Sequence, residues 1–263
     1  LASSGTLRTY VTSVKSSTRL TPNMTELTLA GGLEALLVLG GDEFTSFMPP
    51  PAPSYKQIPA GFVKPNFAAM TPKGRPMAAC YTSRRRRPES GEVDVWVALH
   101  QHAAGVSEWS EQARPGDPLA IWGPRTSFSP PADTTDYFLI CHESGLAATT
   151  SIIEGLSSDV LVYAIAETVD EHHHVALTYR PGVSVDWLHR CSAPPGANGL
   201  LHDAVAQCSM SGGRPYVYGA GESGELTQIR RRLRQECSLD QEQVTVVVYW
   251  RRAAGGDATD DQE

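Results

Sequence analysis

The hydrophobic pattern of this chain changes once, across Pro130-Pro131 and the polar stretch Asp133-Thr134-Thr135-Asp136. A chain that does this cannot fold as one uniform sheet. Before that point polar and apolar residues alternate, as in Met24-Thr25-Glu26-Leu27-Thr28-Leu29, and a period of two marks strands with one buried face. After it come continuous apolar runs such as Tyr137-Phe138-Leu139-Ile140-Cys141, which suit strands covered on both faces.

The first part reads as short strands between turn signals. Residues 7–29 give two strands around the turn Thr21-Pro22-Asn23, and 77–82 and 92–100 give two more around a turn at 88–91. Residues 107–113 read as a short helix with Ser107 as N-cap and Trp109 inward. Strand 119–124 follows Pro115-Gly116-Asp117. In the second part, strands are expected at 137–141, 160–166, 175–179, 215–221 and 244–250, and helices at 146–156, 200–208 and 222–237. The expected fold class is therefore two-domain, β + α/β. An antiparallel six-stranded-type β-barrel spans 1–131 and a parallel α/β domain spans 132–263.

A net charge of −7 argues against a nucleic-acid surface. No apolar run reaches the roughly 18 residues of a membrane span, and no secretory leader pattern opens the sequence. The five cysteines, Cys80, Cys141, Cys191, Cys208 and Cys237, are widely spaced and form no CxxC pair. That spacing argues against zinc or iron–sulfur ligation and for reduced thiols in a cytoplasm.

Three stretches carry candidate chemistry. In Tyr81-Thr82-Ser83-Arg84, followed by Arg85, Arg86 and Arg87, a phenol, a hydroxyl and a guanidinium at alternate positions share one strand face. Such a face suits a planar, phosphate-bearing ligand; a solvated basic hairpin end, with Glu89 and Glu92 as partners, fits the same residues. Gly219-Ala220-Gly221-Glu222-Ser223-Gly224 follows a strand and opens a helix, where small residues admit a dinucleotide and the helix end attracts phosphate. A tight turn needing positive φ gives the same spacing. His142-Glu143-Ser144-Gly145 lies at the same edge. His172-His173-His174 reads as a solvated loop, because consecutive histidines do not share a face. No GxSxG elbow supports a serine hydrolase.

With these pieces placed, the sequence resembles the siderophore-interacting proteins, flavin-dependent ferric-siderophore reductases related to the ferredoxin-reductase fold. The likeness runs nearly end to end. It includes Thr21-Pro22-Asn23-Met24, Tyr81-Thr82-Ser83-Arg84, Ser107-Glu108-Trp109, Trp122-Gly123-Pro124-Arg125, Glu143-Ser144-Gly145-Leu146, Trp187-Leu188-His189-Arg190, Gly221-Glu222-Ser223-Gly224-Glu225 and Tyr249-Trp250-Arg251-Arg252. The resemblance implies FAD in the barrel and NAD(P)H as co-substrate on the α/β domain. Tyr81 would flank the flavin, Thr82 would bond its N5 as the catalytic hydroxyl, and Ser83 and Arg84 would complete the motif. The 104–109 loop, with Val106, Ser107 and Trp109, would hold the pyrophosphate. Glu143, Ser144, Gly219, Gly221 and Glu222 would border the nicotinamide, and Trp250 would lie near the flavin ring. No metal ligand set is implied.

Departures from the family pattern set up a second expectation. The first arginine of the family motif is Ala79 here, the Gly-Pro-Ala-Ser loop reads Ala104-Gly105-Val106-Ser107, the Asp-Glu-Thr turn reads His142-Glu143-Ser144, and a common lysine is replaced near Thr45. One reading is thus an NAD(P)H oxidoreductase acting on a ferric siderophore. The other is a repurposed, non-redox enzyme or binding protein for a small organic ligand. In the first, the proline-rich stretch 47–76 would border the site, with Lys56, Lys64, Lys73 and Arg75 attracting an anionic chelate.

Overall fold

The computed structural model describes residues 7–36, 38, 40–41, 43–48, 77–99, 106–177, 180–208, 213–252 and 258–259. The stretch 49–76 with its four cationic side chains, and Ala104 and Gly105, lie outside the described residues. The chain divides into two compact units between Thr126 and Ser127.

The first unit is a closed antiparallel barrel of β1 (Arg8–Thr21), β2 (Met24–Ala30), β3 (Glu43–Met48), β4 (Met77–Arg87), β5 (Glu92–Ala98) and β6 (Pro118–Arg125), in ring order β1-β2-β5-β4-β3-β6. Alternate residues of these strands fill the interior, among them Leu27, Leu29, Phe44, Val93, Val95, Leu119 and Ile121. Closure gives every one of these strands two neighbours. Helix α1 (Val106–Gln112) starts one residue earlier than expected. Buried Val106 anchors its first turn, so Ser107 lies inside the helix rather than capping it, and its carbonyl accepts the Ser110 hydroxyl at 2.7 Å. Trp109 packs inward against the barrel core, as its position indicates.

The second unit is a six-stranded sheet. Its parallel strands are β7 (Asp136–His142), β8 (Leu161–Thr168), β9 (Val183–His189), β10 (Pro215–Glu222) and β11 (Val244–Arg252), with short antiparallel β12 (Ala258–Thr259) at one edge. The order is β12-β11-β10-β7-β8-β9. Helix α2 (Leu146–Gly155) covers one face through Ala148, Ile152 and Ile153. Helices α3 (Leu200–Gln207) and α4 (Ser223–Gln235) cover the other through Leu201, Val205, Leu226, Ile229 and Leu233. Phe128 packs edge-on against Tyr216, with ring centroids 5.4 Å apart, and so ties the segment after β6 to this unit.

One expected strand is misplaced. Residues 175–177 carry no strand, with Thr178 and Tyr179 outside the described residues; the third parallel strand is Val183–His189. It is the edge strand beside β8, where Ser184 and Asp186 are exposed between half-buried Val183, Val185 and Trp187. A search for continuous apolar runs passes over an edge strand of that kind.

Candidate functional site

The barrel's motif residues sit on an irregularity of β4. On one side Tyr81 and Thr82 pair with Phe44 and Glu43 of β3. On the other, Ser83 pairs with Val95 but Arg85 pairs with Asp94, so Arg84 is an extra residue, a β-bulge. The strict alternation expected from the sequence is broken there, and Thr82, Ser83 and Arg84 are all buried in succession. The Arg84 guanidinium lies over the Trp96 ring, 4.8 Å from its centroid, a cation–π arrangement. Trp96 is itself fixed by its indole N–H, which donates to Glu26 Oε2 at 2.8 Å. Tyr81 is half-buried against the barrel core.

The rest of the basic run divides. Arg87 donates from Nε to Glu92 Oε2 at 2.8 Å and from Nη2 to Asp94 Oδ1 at 2.6 Å. Lys15 and Arg87 together hold the Glu92 carboxyl down at about 2. This end of the hairpin is therefore the ion-paired surface that the simpler reading describes, though Asp94 joins Glu92 where Glu89 was expected. Ala79, at the position of the family's arginine, is only 5% exposed and belongs to the barrel core. A guanidinium built there enters an apolar interior, so one exchange does not restore the missing charge.

On the α/β unit, successive connections run β7 to β8 to β9 in one direction, then β10 to β11 in the other. The order reverses between β7 and β10, and ligands of such sheets bind beyond the carboxyl ends at that point. Both expected turns lie there. The turn after β7 is a 3-10 turn, Glu143–Gly145. The turn after β10 leads into α4, with Glu222 as N-cap accepting the Glu225 N–H at 2.8 Å. Trp250 is buried and donates from its indole N–H to Ser144 Oγ at 3.2 Å, closing this edge from β11.

The two glycines serve packing. Gly221 has φ +149° and any Cβ on it would stand 2.3 Å from His142 Nδ1. A Cβ on Gly219 would point at Leu226 and Val246, into the layer beneath α4.

Four polar side chains to which the sequence reading gave no role converge here. His142, Glu167, Arg190 and Glu225 are all buried. The Glu222 backbone N–H donates to His142 Nδ1 at 3.2 Å, which places the imidazole proton on Nε2, 3.0 Å from Glu225 Oε2. His142, Glu167 and Glu225 have the spacing of a metal triad, yet a protonated Nε2 has no lone pair for a cation. Arg190 donates to Glu143 Oε2 at 2.9 Å. At this point of the sheet, Glu143 Oε1, Arg190 Nη1 and Glu167 Oε2 are buried with no hydrogen-bond partner among the described residues. One signal was legible for Glu225, the Glu-x-x-Glu spacing with Glu222 at a helix start. Glu167 and Arg190 lie far apart in sequence and meet only through the register of β8 and β9.

Burial raises the carboxyls of Glu222 and Glu225, but other groups outweigh it. The N–H groups of Gly224, Glu225 and Arg252 hold Glu222 below its ordinary value, and His142 with the N–H groups of His202 and Leu201 does the same for Glu225. A depressed carboxyl contributes stability above its unfolded pKa, about 4.3, and loses it as pH falls through the folded value. Glu167, raised by burial, acts in the opposite sense and loses its contribution as pH rises. We therefore expect the thermal unfolding midpoint to fall as pH drops below about 4, with Glu225→Gln flattening the fall. Thermal scans across that range would contradict this if the two proteins kept parallel profiles.

The comparisons bear on both units. The "Siderophore-interacting FAD-binding domain" profile matches residues 13–128, and the "Siderophore-interacting protein" profile matches residues 134–253. The chain belongs to the siderophore-interacting protein family. Family membership extends to the fold. A siderophore utilization protein from T. fusca superposes with a TM-score of 0.83 at 29% identity, over 98% of each chain. Among curated family relatives, the NADPH-dependent ferric-chelate reductase of Escherichia coli is 29% identical over 81% of this chain and 85% of its own. The ferric vibriobactin reductase ViuB of Vibrio cholerae is 24% identical over 83% of this chain and 79% of its own.

Proposed function

We propose that this protein is a flavin-dependent reductase of small ferric chelates, a ferric siderophore foremost, with NAD(P)H as electron donor. The observation that carries the reading is the pairing of a FAD-binding-domain match on the barrel with a siderophore-interacting match on the α/β unit. The barrel's own residues fit a flavin nucleotide. Ser83 Oγ is buried without a hydrogen-bond partner among the described residues, and a buried hydroxyl in that state calls for a polar ligand atom or an ordered water. It stands on a bulge between Thr82 and Arg84, so two hydroxyls and a guanidinium are grouped at one irregular point of the strand.

In this reading Tyr81 flanks the ring, Thr82 and Ser83 offer hydroxyls to it, and Arg84 offers its fork to phosphate. Val106, Ser107 and Trp109 border the pyrophosphate. Bound FAD supplies the conversion from a two-electron donor to one-electron reduction of iron. On the α/β unit, Glu143 Oε1 and Arg190 Nη1 offer an acceptor and a donor, the pair a nicotinamide carboxamide requires. Ser144, Glu222 and Trp250 hold the turns around them. The wide spacing of the five cysteines, with no CxxC pair, supports a reducing compartment such as the cytoplasm. Among the described residues no helix is long and apolar enough to cross a membrane.

Reconstitution with excess FAD tests the reading. Purified protein should retain flavin absorption after desalting and bleach when NADPH or NADH is added anaerobically. Protein that stays colourless supports the non-redox alternative, which the core position of Ala79 favours.

A further inference from the structure

At the β8–β9 end of the sheet, the fold brings together two histidines that the sequence leaves 15 residues apart. His174 follows the 3-10 turn Glu171–His173, where its backbone N–H donates to the Glu171 carbonyl at 3.2 Å. His189 ends β9, in register with Thr168 at the end of β8. Their Nε2 atoms stand 2.9 Å apart on the exposed surface. The His174 ring lies flat on Trp187, with centroids 4.1 Å apart and 16° between the planes. A regular strand fixes one imidazole and an indole face fixes the other, so the pair is held by structure rather than by chance rotamers.

The neighbouring histidines are differently engaged. His173 is buried, with Nδ1 2.7 Å from Asp170 Oδ1. His172 is exposed, and its backbone N–H donates to the same carboxylate. The expectation of a merely solvated loop at 172–174 therefore holds for neither His173 nor His174.

Two Nε2 atoms that converge in this way share one proton or bind one cation. Metal–imidazole bonds of about 2.0–2.1 Å that span this gap enclose an angle of about 90°. That is the cis angle of a square-planar or octahedral site, the geometry of Cu²⁺ and Ni²⁺ with nitrogen and oxygen ligands. We propose that His174 and His189 form a surface site for a divalent first-row cation of this kind. Water fills its other positions, since among the described residues no carboxylate or thiol completes a third protein ligand. A cation there clips the turn after β8 to the end of β9 and withdraws both imidazoles from proton exchange.

The test is titration of the full chain with Cu²⁺ and Ni²⁺ at neutral pH, by calorimetry and by electron paramagnetic resonance of the copper form. One equivalent is expected to bind with a two-imidazole nitrogen signature, and Ni²⁺ should raise the unfolding midpoint. His174→Ala and His189→Ala should each weaken binding at least tenfold and remove the Ni²⁺ shift, while His172→Ala keeps both. Circular dichroism of each variant checks that it folds. Absence of binding to the folded wild type overturns the proposal, as does binding that His172→Ala abolishes or that survives both His174→Ala and His189→Ala.

Discussion

Replacing Gly221 with alanine is expected to destabilise the α/β unit by about 3 kcal/mol or more, the combined cost of a strained φ and of overpacking. At about 2–4 °C per kcal/mol, that lowers the unfolding midpoint by roughly 6–12 °C. The new Cβ would stand 2.3 Å from His142 Nδ1, and the backbone there has φ +149°. His142 cannot simply yield, because its two nitrogens bridge the Glu222 N–H and the Glu225 carboxylate. The comparison is Gly219→Ala, whose Cβ would meet the tip of Leu226 at 3.3 Å and which should cost far less. Flavin binding by the barrel should survive in both. Equal midpoints for the two variants would show that the imidazole does not fix that turn.

Replacing Arg84 with alanine is expected to weaken FAD binding ten- to hundredfold, the effect of about 1.5–3 kcal/mol for a charged hydrogen bond. The guanidinium is pre-positioned by the bulge and by the Trp96 face, and with Ala79 in place of the family's first arginine the phosphate charge falls on fewer groups. Arg84→Lys keeps the charge but loses the planar fork and the stacking, so it should recover only part of the affinity. FAD titration by fluorescence quenching checks this. Unchanged affinity in Arg84→Ala would assign the phosphate to Arg85, Arg86 or another cation.

Much of the fold was legible because its two halves obey different periodicities. The strands and helices of the α/β unit announced themselves by apolar runs, except β9, whose alternation resembles a barrel strand more than its buried neighbours. The motif Tyr81-Thr82-Ser83-Arg84 was legible as a group, but its geometry was not. A bulge inserts one residue without any sequence mark, and it leaves three consecutive polar side chains buried. The glycines of the second turn were visible as glycines, yet what Gly221 approaches is an imidazole of its own unit. The cluster of His142, Glu167, Arg190 and Glu225 depends on which strands are neighbours, as does the meeting of His174 with His189, and strand order is a tertiary fact that local patterns do not encode.

The measurement that tests the central claim most directly is anaerobic mixing of FAD-loaded, pre-reduced protein with ferric chelates while the return of oxidised-flavin absorption is followed. If this chain reduces chelated iron, at least one ferric siderophore should reoxidise the bound flavin faster than it reoxidises free reduced FAD. If no chelate does so, the reductase assignment is contradicted even with flavin bound.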